Sequence, residues 1–112
     1  MRIIIDENVP HPLLRHLSHH ETTSVQHEGW SGIKNGSLLQ RIDGHFDVFI
    51  LGDKNLRYQQ NLTGRKIAII ELFTIRWPLL QPFIPAIVSA VDSAVPGSYI
   101  IIQPEQGAAA SP

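Results

Sequence analysis

Aliphatic residues in this chain come in short runs, and the strand-like runs end in an acid, an amide or a glycine. β-Branched residues dominate the short run Arg2–Ile5, which predicts a strand buried on both faces, as in a parallel sheet. "TTSVQ" reads as a weaker second strand, "DVFIL" as a third, "KIAIIEL" as a fourth and "SYIIIQ" as a last one. Between them the period changes to that of helices. Leu13, Leu14 and Leu17 give a helix over about Val9–His19, beginning beyond Pro10 and Pro12, whose rings are tolerated only in a first turn. Asn35 reads as an N-cap for a short helix carrying Leu38, Leu39 and Ile42, ended by Gly44. A third helix spans about Leu79–Ala94, with an irregular start at Pro82 and Pro85. Strands alternating with helices predict an α/β fold: a three-layer α/β/α domain with a mainly parallel sheet of four to five strands. The domain is expected to occupy residues 1–103. Residues 104–112 have no core-forming side chains and are expected to be a disordered tail.

Composition narrows the function classes. The chain of 112 residues is long enough for one domain. It has no cysteine, which excludes thiol catalysis and cysteine-based zinc sites. The net charge of −1 excludes a broad basic field, so any nucleic-acid contact has to be local. No apolar stretch is long enough for a membrane span and no signal-peptide pattern opens the chain, so a soluble cytoplasmic domain is expected.

Candidate chemistry gathers where strands end. Asp6, Glu7 and Asn8 follow the first strand, and Asp53, Lys54 and Asn55 follow the third. Ligands of open parallel sheets bind beyond the carboxyl ends of the strands. If the two strands are neighbours, both acidic clusters face one crevice. Close carboxylates repel unless a cation intervenes, and a hard ion such as Mg²⁺ or Mn²⁺ suits oxygen donors. The competing reading is local: Asp and Asn after a strand are ordinary turn residues. Lys54, Arg57, Arg65 and Lys66 surround Tyr58, a set able to contact phosphate and stack on a base, or equally to be a solvated loop. Glu71 lies inside an aliphatic strand, either as a further acid of the site or as a strand-end residue reaching solvent. His16 and His20 have helical ligand spacing, but no HExxH accompanies them, and His19-His20 reads as an exposed helix C-terminal cap. Walker, GxGxxG and Gly-x-Ser-x-Gly patterns are absent.

Four blocks, "IIIDENVP", "EGWSGIKNGSLL", "FDVFILGDKNLRYQQNL" and "RWPLLQPFIPAIV", together resemble a small PIN-like family of the DUF5615 type, over roughly residues 2–92. The family is similar to the toxin nucleases of bacterial toxin–antitoxin pairs. The resemblance implies a metal-dependent endoribonuclease with Asp6 and Asp53 as catalytic metal ligands for Mg²⁺ or Mn²⁺. Asn8, Lys34, Asn35 and Asn55 match polar positions of the family blocks, and Glu7, Lys54, Arg57 and Tyr58 stand beside them as substrate-facing or supporting residues. Implied partners are single-stranded RNA, an antitoxin protein and a second copy of the chain, with no membrane. One position departs: Ser37 stands where relatives usually have Glu. The alternative expectation is therefore a catalytically impaired PIN-like module that binds RNA or protein without cutting. A receiver-like phosphotransfer domain shares the acid placement, but no lysine follows Lys66.

Overall fold

Runs of three or four buried apolar side chains, Ile3–Ile5 and Val48–Leu51, cannot sit at a sheet surface, and here they form its middle. In the computed structural model, which describes residues 1–52, 62 and 64–104, five strands pair in the order β2-β1-β3-β4-β5, all parallel. They are β1 (Arg2–Ile5), β2 (Glu21–Ser24), β3 (Val48–Leu51), β4 (Ala68–Leu72) and β5 (Tyr99–Ile102). The expected loop over Asp53–Asn61 and the expected tail from Glu105 onward lie outside the described residues.

The pleat sends alternate side chains to two cores. Ile3, Ile5, Val48, Ile50, Ala68 and Ile70 pack against Leu13, Leu17, Leu80, Ile87 and Val91. On the other face Ile4, Phe49, Leu51, Ile67 and Ile69 pack against Leu38, Leu39 and Ile42. Helical elements thus cover both faces, which makes the three layers.

The expected first helix is a 3-10 helix, His11–Leu17. Pro10 and Pro12 explain the difference: each removes an amide from the first turn, and too few residues remain before β2 for a regular α-helix. The second element, α1 (Asn35–Ile42), starts one residue earlier than expected, with Lys34 as its N-cap and Asn35 as its first helical residue. Gly44 follows it at φ +85°, a left-handed conformation that suits glycine at a helix end. The proline-rich third segment is broken as its sequence predicts, into α2 (Trp77–Leu80), a 3-10 turn at Gln81–Phe83 and α3 (Ile84–Asp92).

The crossovers do not all turn the same way. The 3-10 helix joins β1 to β2, and α2–α3 join β4 to β5, on the same face of the sheet. Those two connections step in opposite directions across the strand order, so their hands are opposite and one is left-handed. α1 lies on the other face while stepping from β2 to β3, and shares the hand of the first connection. A left-handed parallel crossover is rare.

A polar tie joins the end of α1 to the segment leading into β4. Asp43, just past α1, accepts the amides of Lys66 and Ile67 at 2.8 and 2.9 Å. Among the described residues no helix is long and apolar enough to cross a membrane.

Candidate functional site

The chain leaves β1 for β2 on one side and returns to β3 on the other. The switch point of this sheet is therefore the gap between the carboxyl ends of β1 and β3, where α/β sheets accept ligands. Ile5 is in register with Ile50, and the ladder runs one residue further: the Asp6 amide donates to the Ile50 carbonyl at 2.9 Å. Asp6 is thus fixed at the end of β1, half-buried, directly beside Leu51. Its Oδ1 accepts the Glu7 amide at 2.9 Å, which orients the carboxylate. Glu7 and Asn8, which follow Asp6, are exposed; Lys34, the N-cap of α1, is exposed as well, and Asn35 is half-buried at the start of that helix. Ser37 is exposed in the first turn of α1. β1 and β3 are adjacent strands. Asp53, Lys54, Asn55, Arg57 and Tyr58 lie outside the described residues.

Gly52 is the last described residue before Asp53, and it is there for lack of a side chain. A Cβ at this position would overlap Cγ2 of Ile75, from the loop that follows β4. The close approach folds that loop over the end of β3, beside the switch point. Gly52→Ala is expected to cost about 1–3 kcal/mol of stability, the usual range for overpacking. Ile75 is 42% exposed, so Ile75→Ala alone is expected to cost little and to restore most of the loss in the double variant. Urea unfolding of the four proteins of that cycle measures the coupling; additive effects would show that the contact does not form.

Glu71 does not reach solvent. It is 3% exposed on β4, where it pairs in register with Leu51, and the Tyr99 hydroxyl donates to its Oε1 at 2.6 Å. Alternation puts Glu71, Leu51 and Asp6 on one face and at one level. β3 lies between the two acids, so their Cα atoms are separated by two strand spacings, roughly 9–10 Å. That distance makes Glu71 first of all the buried acceptor that anchors β5 through Tyr99. Glu71→Ala is expected to destabilise by about 1–3 kcal/mol, and Glu71→Gln, which keeps an acceptor oxygen, by less. Denaturant midpoints read the difference, and equal losses would contradict the anchoring role.

A second polar cluster was not legible from spacing. His16 and His20 do not converge: they flank the end of a 3-10 helix, and the His16 ring lies 6.2 Å from that of Trp77. Instead His19 and His20 both direct Nε2 at Oδ1 of Asp92, at 2.8 and 2.7 Å. Asp92 ends α3, more than 70 residues away in sequence. Hydrogen bonds from His20 first, then from His19, hold its carboxyl below the usual carboxylate range. Three concavities lie at this amino-terminal end of the sheet, around Arg2 and Phe46. The Arg2–Glu21 pair at 3.3 Å and the Arg2 guanidinium over the Phe46 ring at 4.7 Å occupy their walls.

Compared with protein-family models, curated proteins and solved structures, the chain matches none.

Proposed function

We propose that the protein is a PIN-like, divalent-metal-dependent ribonuclease, acting in the cytoplasm as the toxin of a toxin–antitoxin pair. The observation that supports it is the side-by-side placement of Asp6 and the end of β3 at the switch point of a parallel sheet. Asp6 and Asp53 hold Mg²⁺ or Mn²⁺ in this reading. The donor chemistry fits: an oriented half-buried carboxylate at a strand end offers the hard oxygen such ions prefer. When bound, the ion activates a water and stabilises charge on a phosphodiester. The Glu7 amide keeps the Asp6 carboxylate facing the crevice, and the cations of the following segment, Lys54 and Arg57, orient the RNA phosphate. Lys34 and Asn35 close the rim from α1.

The exposed, uncharged Ser37 favours a second reading, a module that binds RNA or a partner protein without cutting it. The receiver-like reading loses support from the crossovers: in a doubly wound sheet of this strand order every crossover is right-handed, and here two have opposite hands. One experiment separates the first two readings. Pure protein is incubated with single-stranded RNA, with and without Mg²⁺ or Mn²⁺, beside Asp6→Asn and Asp53→Asn. Divalent-dependent cleavage by the wild type alone supports the nuclease. Binding without cleavage supports the module, and equal cleavage by all three proteins overturns the assignment to Asp6 and Asp53.

A further inference from the structure

The His19–His20–Asp92 cluster brings three metal-ligating side chains from two distant parts of the chain to one point. Their candidate ligand atoms all lie within 4.8 Å of one another. A tetrahedral ion with bonds near 2.0–2.1 Å holds its ligand atoms about 3.3 Å apart, so the two contacts at 2.7 and 2.8 Å need to open by only about half an ångström. The cluster is also accessible. The His19 and Asp92 side chains are 50% and 46% exposed, whereas His20 is held at 11%, so one ligand is rigid and the other two border solvent.

Electrostatics at this point call for a cation. Asp92 is an anion in the last turn of α3, where the helix carbonyls already concentrate partial negative charge. The helix has no basic residue in that turn. The two imidazoles are the groups that face the carboxylate there.

We propose that His19, His20 and Asp92 form a metal site for a borderline transition ion, Zn²⁺ foremost, at the end of the sheet opposite Asp6. Two imidazole nitrogens and one carboxylate select such an ion over Mg²⁺. Water completes the coordination. The ion takes the Nε2 lone pair of each ring: a neutral ring carries its proton on Nδ1 instead, and a charged ring releases one to solvent. The bound ion joins the start of β2 to the end of α3 and so clips the 3-10 helix and α3 together over their shared core. This site shares no residue with the Asp6 edge and does not depend on the nuclease reading.

The test is calorimetric titration of the full chain, free of any histidine tag, with ZnCl₂ in excess Mg²⁺. The expected result is one Zn²⁺ per chain, with affinity weakened at least about tenfold in His20→Gln and in Asp92→Asn, and a Tm that rises by several degrees on zinc addition. His19→Gln, at a half-exposed position, keeps the fold and is expected to weaken binding as well. In NMR spectra the ring resonances of His19 and His20 move on titration ahead of those of His11, His16, His27 and His45. Absence of binding at millimolar Zn²⁺, unchanged affinity in the variants, or shifts confined to other histidines would overturn the site.

Discussion

Phe49→Ala lowers the free energy of unfolding by about 3–5 kcal/mol, the range for truncating a buried aromatic side chain. Phe49 is fully buried at the middle of β3, in register with Ile4 on one side and Ile69 on the other. Its ring faces the layer of Leu38, Leu39 and Ile42. Neighbours on both flanks are β-branched and held by strand ladders, so they cannot close the cavity. Domains of this kind have a total stability of about 5–15 kcal/mol, so the loss takes a large share of it. Guanidinium unfolding followed by far-UV circular dichroism measures it. A loss under about 1 kcal/mol would mean that α1 does not pack on this face.

Under the proposed nuclease reading, Asp6→Asn gives the second large effect, on chemistry and not on stability. Asparagine keeps an Oδ1 acceptor for the Glu7 amide, so the turn after β1 survives. What goes is the negative charge at the switch point. Divalent-dependent RNA cleavage is expected to fall by about 100-fold or more, the scale on which removal of a charge-stabilising group acts at a reacting centre. Unfolding curves of the two proteins should coincide. A variant that cleaves as well as the wild type would place the chemistry elsewhere.

The frame of the sheet was legible because its signals are local. "RIII" and "VFIL" are too apolar and too short for anything but buried strands, and the helix-period leucines at 38, 39 and 42 face one core as their spacing predicts. Asp6 was legible as well, since an acid directly after a buried strand marks a strand end. The type of the first helix was misread because two prolines over three residues act against an otherwise helical leucine pattern, and the prolines prevailed. Glu71 was ambiguous because a sequence shows an acid in a strand but not the hydroxyl that meets it. Tyr99 comes from another strand, and only the pairing of β4 with β5 brings it there. The His19–His20–Asp92 cluster was hidden for the same reason. Spacing along the chain linked His20 to His16, whereas the fold links it to Asp92 through the packing of α3 on the 3-10 helix. The hands of the crossovers depend on which face each helix covers, and that follows from three-dimensional packing alone.

The proposed nuclease requires a hard divalent ion in the gap between β1 and β3. Mn²⁺ binding, read by electron paramagnetic resonance of the free ion, tests it without reliance on an RNA target. The wild-type chain is expected to bind Mn²⁺, Asp6→Asn and Asp53→Asn to lose that binding, and Asp92→Asn to keep it. Undiminished binding in Asp6→Asn would show that the ion does not sit between β1 and β3.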